Sequence, residues 1–126
     1  MEIAAVRSPT QRTLNFLREQ GATVKVVEKY VKFPHMKHGV RQDLWGADIL
    51  CVQGMKLLAI QTCAGSGHAH RVTKSLGNED VQNWLVTGNL FEVWSWSKKG
   101  PRGKRKLWTP RVTQLTLNGD GHVIEA

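Results

Sequence analysis

Cysteine is scarce in this chain of 126 residues: Cys51 and Cys63 are the two present, and no CxxC occurs. Two cysteines make no disulfide framework, so the fold must rest on its core. A chain of this length can bury such a core without a disulfide or a structural metal. Long apolar runs are lacking as well. No stretch approaches the ~20 apolar residues of a membrane span, so no membrane partner is expected. The opening MEIAAVRSPT has neither the basic region nor the apolar region of a secretory signal. A reduced, intracellular setting is therefore the expectation, cytoplasmic or nucleoid-associated. No repeat and no linker-like stretch divides the chain, so residues 1–126 read as one domain.

Acid is the third shortage. Against 18 Lys and Arg stand 10 Asp and Glu, which leaves a formal charge of +8 and a pI near 9.9. Such an excess on a small domain favours an anionic partner, nucleic acid first. The charge is unevenly spread. Residues 93–119 hold seven Lys or Arg and no acid. Among them Lys98, Lys99, Arg102, Lys104, Arg105 and Lys106 are interleaved with Gly100, Pro101 and Gly103, which predicts a basic loop or hairpin tip over 98–106. A tip of this kind suits phosphate contacts, which position a protein without reading sequence. The alternative is a loop that only confers solubility.

Local patterns predict the elements. Ser8, Pro9 and Gln11 suit the N-cap, first and third positions of a helix. Leu14, Phe16 and Leu17 give that helix an apolar face, and Gly21 ends it. Val24 to Glu28 reads as a strand. Lys29 to Gly46, with Pro34, two histidines and Gly39, reads as a loop or flap. Ala47 to Val52 and Leu57 to Cys63 are apolar on both faces, which predicts two covered central strands joined by a turn at Gln53 to Lys56. A helix is expected over 67–77, with Ala69, Val72 and Leu76 on one side. Another follows from Glu79 to Thr87, capped by Asn78, with Glu79 and Asp80 at its positive end. Leu90 to Ser97 is strand-like, and Leu107 to Leu117 reads as its hairpin partner, interrupted at Pro110. The tail, 118–126, carries no clear signal. The sum is an α/β fold: a mixed central sheet flanked by helices, with an extra C-terminal β-hairpin.

The two central strands carry the chemistry. With Gly54 and Met55 as a two-residue turn, residues whose numbers sum to 109 face each other, and Asp48 stands opposite Gln61. Alternation then places Asp48, Leu50, Ala59, Gln61 and Cys63 on one face, and Cys51 on the other. A carboxylate at the mouth of an apolar strand is costly to bury without a partner. Asp48 with Gln61, Glu28 and Asp43 would supply oxygen ligands to a hard cation such as Mg²⁺. Otherwise Asp48 caps the strand end, or pairs with Arg41 or Arg71.

An αβββαβ order with Ala47-Asp48 on one strand and Gln61-Thr62-Cys63 on the next, 13 residues on, resembles the PD-(D/E)XK nuclease superfamily of restriction-endonuclease-like fold. Arg41 to Leu50, RQDLWGADIL, is similar to small phage-type and Holliday junction resolvase-like members, and the likeness spans about residues 10–97. The resemblance implies a divalent-metal-dependent endonuclease, phage-encoded in some cases, acting on DNA that is branched in some members. It implies that Asp48, Glu28 and Gln61, with the Thr62 carbonyl, hold Mg²⁺ or Mn²⁺. Three departures stand out. Gln61 occupies the place of the family's Glu, and Cys63 the place of its Lys. Thr10 stands where resolvases often carry a Glu on the first helix. A thiol supplies no positive charge to a phosphoryl transition state. In some relatives the lysine comes from the following helix, where Arg71 and Lys74, with His68, share a helical face. A solvated polar face is the other reading of those three.

Remaining signals are weaker. His35-x-x-His38 and His68-x-His70 lack partners at zinc-finger spacing. Cys63 as a nucleophile would need His68 or His70 as base. Gly65-Ser66-Gly67 reads as a strand-to-helix turn before it reads as a phosphate cradle. Trp94, Trp96 and Trp108 suit a sheet cover, or else a base-stacking surface. The expectation is thus a metal-dependent DNA endonuclease with Asp48, Gln61, Glu28, Lys74 and Arg71 catalytic. The six basic residues of 98–106 and Arg41 would hold DNA, and a homodimer would suit cutting two strands. The alternatives are a silent DNA-binding module of that fold and a basic RNA-binding α/β domain.

Overall fold

The computed structural model describes residues 7–35, 37–54 and 56–126, apart from the side chains of Val31, Val40, Arg41 and Gln53. Helix α1 (Pro9–Glu19) starts as its sequence directs: the Ser8 side chain accepts from the Gln11 N–H, with Pro9 in the first turn. It ends in a Schellman motif. Gly21, at φ +82°, donates to the Arg18 carbonyl, and Ala22 to that of Leu17.

Strand β1 (Thr23–Val26) leads into a short hairpin, β2 (Lys29–Val31) and β3 (Val40–Gln42), where the sequence suggested only a loop or flap. Then come β4 (Ile49–Gln53), β5 (Lys56–Ala64), a short 3₁₀ turn at 65–67, α2 (His68–Leu76), α3 (Glu79–Val86), β6 (Leu90–Lys99), β7 (Leu107–Leu117) and β8 (Val123–Glu125). The last strand lies in the tail that carried no signal. Six strands form one sheet in the order β1-β4-β5-β6-β7-β8, and β2-β3 form a separate pair. Among the described strands only β5 and β6 run parallel, through the α2-α3 crossover, so the sheet is mixed.

The β4-β5 register is the expected one: Ile49 pairs with Ile60 and Gln53 with Lys56, although Met55 of the proposed turn lies outside the described residues. β7 is continuous through Pro110, which pairs with Trp96. β8 reaches only Leu115 to Leu117, so β7 is an edge at Pro110 and needs no second ladder donor there.

Each face of the sheet has its own cover. On one, Leu14 and Leu17 of α1 pack on Ile49, Cys51, Leu58, Ile60, Trp94 and Trp96. On the other, Val72, Val81 and Leu85 of α2 and α3 cover Ala59, Cys63, Phe91 and Val93. Cys51 and Cys63 are therefore buried on opposite faces and free. Two tryptophans are core, not stacking surface. Phe16 meets Trp94 and Trp96 edge-on at 5.6 and 5.9 Å, and Trp96 Nε1 donates to the buried Thr13 hydroxyl at 2.9 Å. These contacts seat α1 with its N-terminus at one end of the sheet. In α2 Val72 is buried and Leu76 packs against this core, as the spacing predicts, but Ala69 is exposed and His68 and Ser75 are buried beside Val72. Among the described residues no helix is long and apolar enough to cross a membrane.

Candidate active site

The segment Asp43 to Asp48 folds back on itself. Leu44 and Ala47 exchange backbone hydrogen bonds of 3.0 and 2.8 Å around Trp45 and Gly46, whose φ values are +53° and +83°. Positive φ at both central residues is the type I′ turn of two-residue hairpins. The turn is flanked by Asp43 and Asp48, so it draws two carboxylates together. Glu28 joins them from the end of β1, where the Val27 N–H donates to the Asp48 carbonyl at 2.9 Å. Glu28, Asp43 and Asp48 each offer an oxygen within 4.8 Å of the others'.

Asp48 is 5% exposed and held on its other side by β5. Its Oδ2 accepts from the Thr62 N–H at 2.8 Å, the Thr62 hydroxyl at 3.0 Å and Gln61 Nε2 at 3.2 Å. Thr62 spends its one hydroxyl proton on Asp48, so the Thr10 hydroxyl, 2.7 Å away, donates to Thr62. A relay thus runs from α1 to the carboxylate. These three donors address one oxygen, and a carboxylate offers about four lone-pair sites, so acceptor capacity remains for a cation. Gln61 as it stands turns its NH₂ to Asp48, and its Oε1 lies near Gly46. It orients Asp48 in this arrangement, and the convergent oxygens are those of the three acids.

These groups line a cavity of about 360 Å³ with Ser8, Pro9, Thr10 and Arg71. A larger groove of about 510 Å³, bordered by Asn78, Gln82 and His122, brings no such group of charges together. In the smaller cavity Asp43 is pushed up to about 6. Desolvation is the main cause, followed by the hydrogen bond and the repulsion from Asp48, while Arg71 and Lys74 pull the other way. Arg71 and Lys74 thus present their charge to the acids from α2. Lys74 is exposed and is not part of the cavity wall.

His68 does not join that face. It is 1% exposed and bridges the Ser95 and Thr113 hydroxyls at 2.6 and 2.7 Å. Burial, then the nearby Arg111, holds its pKa below the usual value, opposed by Glu125. It is a neutral pin between α2 and β6-β7. Cys63 shares the face of Asp48 and Gln61 as expected. Burial raises its thiol pKa, Arg71 opposes this, and Asp48 adds to it. It therefore stays uncharged and supplies no cation.

The basic segment is a built hairpin. Lys98 and Lys99 belong to β6 and pair with Trp108 and Leu107, so the connection is residues 100–106. Lys104 donates to the Pro101 carbonyl at 3.1 Å with Gly103 at φ +79°, the arrangement of a type II turn. Gly100 is needed for close approach: a Cβ there would stand 3.0 Å from the Arg105 carbonyl oxygen. All six basic side chains are exposed. The hairpin leans on α1, where the Arg12 guanidinium lies 3.7 Å from the Trp108 ring centre and Lys98 Nζ lies 5.5 Å from it. It leaves the same end of the sheet that carries Asp48. Val93 pairs with Gln61, and Lys98 is five residues further, or ~17 Å along the strand. Arg41 is placed on β3 by its backbone, and its side chain lies outside the described set.

Sequence reasoning named Asp48, Glu28, Asp43 and Gln61 together, and the structure brings them together. It missed the hydroxyl relay through Thr10 and Thr62, for which β-branched polar residues beside the motif were the only signal. Comparison with protein-family models, curated proteins and solved structures finds no match to this chain.

Proposed function

We propose that this chain is a divalent-metal-dependent DNA endonuclease built on a PD-(D/E)XK-like, restriction-endonuclease-like core. The convergence of Glu28, Asp43 and Asp48 in a cavity beside an exposed, acid-free hairpin carries the reading. The order α1, β1, β4, β5, α2, β6, with Asp48 at the head of β4 and Gln61 across from it on β5, supports it further.

The acids fit a hard cation. All donors are oxygen, which suits Mg²⁺ or Mn²⁺ over zinc. Desolvation, then the hydrogen bond and repulsion from Asp48, disfavours charge on Asp43, a cost that a bound cation would offset. Held by Glu28, Asp43 and Asp48, the metal would polarise the scissile phosphate and acidify the attacking water. Thr62 and Gln61 fix the Asp48 carboxylate, so it need not reorganise when phosphate arrives. Arg71 in the cavity wall would place positive charge where phosphoryl oxygens gain negative charge, with Lys74 adding its charge from the same helix, the task that Cys63 cannot perform. The basic hairpin binds the phosphodiester backbone and brings the duplex or branch to the cavity.

A silent DNA-binding module is the second reading, favoured by Cys63 in the lysine position and by the Gln61 amide turned inward. Incubation with linear and branched DNA in Mg²⁺, Mn²⁺ or EDTA separates the two. The nuclease reading expects cleavage with metal and none with EDTA. Tight binding without cleavage in either metal establishes the module, and no binding at all removes both.

A further inference from the structure

The β2-β3 hairpin has no role in the site just described, yet it grows out of it. Glu28 immediately precedes β2 and Asp43 immediately follows β3. The two acids therefore flank the foot of this arm, where Lys29 pairs with Gln42. The arm's composition is the opposite of its foot. Residues 29–42 carry Lys29, Lys32, Lys37 and Arg41 and no Asp or Glu. With 98–106 they hold ten of the 18 Lys and Arg and none of the 10 acids. Two short hairpins thus carry more than half of the positive charge.

The arm's surface is also unlike a plain solubility loop. Lys29, Lys32 and Lys37 are exposed, and so are Tyr30 at 66% and Phe33 at 53%. Tyr30 accepts from the Gly39 N–H at 3.0 Å, and its ring fills the space a Cβ on residue 39 would need. That contact crosses the hairpin and holds the ring against it. Phe33 and His35 lie parallel at the tip, 5.9 Å between ring centres. Cations interleaved with aromatic faces are the pairing that suits a nucleic-acid backbone and its unpaired bases. An isolated two-stranded hairpin is only marginally stable, which leaves this arm able to adapt to a surface.

Topology places the two arms as a pair. β1 and β6 both end at the edge of the sheet that carries Asp48, and β4 and β5 lie between them. Three strand spacings, ~14 Å across the sheet, separate β1 from β6, with Asp48 at the head of β4 between them, and the 98–106 hairpin starts further along its strand than the foot of the β2-β3 arm. We propose that residues 29–42 form a second DNA-binding arm, which with the 98–106 hairpin brackets the acidic cavity and delivers a phosphodiester to it from both sides. This rests on the DNA-binding part of the proposed function and adds the second contact surface.

The test is a salt titration of duplex DNA binding in EDTA, where no cleavage interferes. The wild-type chain is compared with Lys29→Gln/Lys32→Gln/Lys37→Gln/Arg41→Gln. Each lost phosphate contact lowers the slope of log K against log salt by about 0.9. The variant should bind at least ~10-fold more weakly at low salt, with a slope shallower by roughly 2–4. The pair Lys32→Gln/Lys37→Gln lies outside the β2-β3 ladder and leaves the arm's pairing intact. It should give a slope shallower by about 1–2. Unchanged slopes in both variants, with the wild type binding normally, overturn the arm and leave the nuclease reading in place. A wild type that binds no DNA overturns both. Loss of affinity for single-stranded RNA with duplex DNA binding unchanged also refutes the arm as a DNA contact.

Discussion

Asp48 is almost fully buried, with three donors on one oxygen, whereas Lys98 to Lys106 are exposed along their whole length. Both lie at the same end of the sheet. The difference follows from what each must do. Charge stabilisation at a reacting phosphate needs groups fixed before the reaction, because reorganisation would consume the gain. Phosphate binding by an arm draws on counterion release, which depends on the number of cations and little on their exact placement. A buried acid is therefore paired and oriented, and an exposed cation can be left to solvent. α1 links the two regions: Thr10 touches the relay to Asp48, and Arg12 stacks on Trp108 at the base of the hairpin.

The comparison breaks most sharply at the acids. Asp43→Asn or Asp48→Asn should lower Mg²⁺-dependent cleavage by roughly 10³-fold or more, as losing a principal electrostatic group does. Affinity for DNA in EDTA should change little. Cleavage by both variants at the wild-type rate would mean that the acidic cluster is structural only.

Neutralising Lys98, Lys99, Arg102, Lys104, Arg105 and Lys106 is the opposite experiment. It should weaken DNA binding at every sequence and reduce the salt slope by about 3–5. The unfolding midpoint should hardly move, since exposed side chains contribute little to stability. An unchanged slope shows that the hairpin is not the main contact.

Stability separates the regions again. Asp48→Ala orphans the Thr62 N–H, the Thr62 hydroxyl and the Gln61 amide, at about 2–4 kcal/mol in chemical denaturation. Asp48→Asn retains an acceptor oxygen and should cost less. The asparagine variant is thus the cleaner probe of catalysis. Equal losses for both would show that the donors re-pair elsewhere.

The smallest effect on stability is at Asp43. Its folded-state value of about 6 lies above the ordinary 3.8, so the folded chain holds this proton more tightly than the unfolded chain. The associated stability is complete below 3.8 and is lost as pH rises through about 6. In the metal-free protein Asp43→Asn should therefore be slightly stabilising at pH 7.5, roughly 0.2–1 kcal/mol given solvent screening, and neutral at pH 3.5. Mg²⁺ or Mn²⁺ should raise the wild-type melting temperature at pH 7.5 and act far less on the variant. Both metal stabilisation and cleavage should fall as pH drops below about 6. A melting temperature indifferent to metal at pH 7.5 argues against the cation.

The sequence made some features plain for local reasons. Ser8-Pro9-Thr10-Gln11 announced α1 because capping is a contact between near neighbours. The β4-β5 register followed from a two-residue turn, since the loop length of a hairpin fixes which residues pair. Cys51 and Cys63 separated by that register together with alternation along each strand. β2-β3 and β8 were not legible: three-residue strands have too little alternation to show. His68 misled, because helical spacing tells which residues share a face but not what that face meets.

By itself, then, the amino-acid order determined the helix caps, the central register, the faces of the two cysteines and the acid-free stretches. All of these depend on neighbours in the chain or on strict alternation. Tertiary structure decided the rest. It decided that Asp43 crosses a turn to meet Asp48, that Thr10 of α1 completes the relay through Thr62, and that His68 is a core pin. It also gave two basic hairpins, far apart in sequence, one end of one sheet. Those outcomes depend on how the sheet is ordered and what each face packs against, and no local pattern encodes distances between segments brought together only by folding.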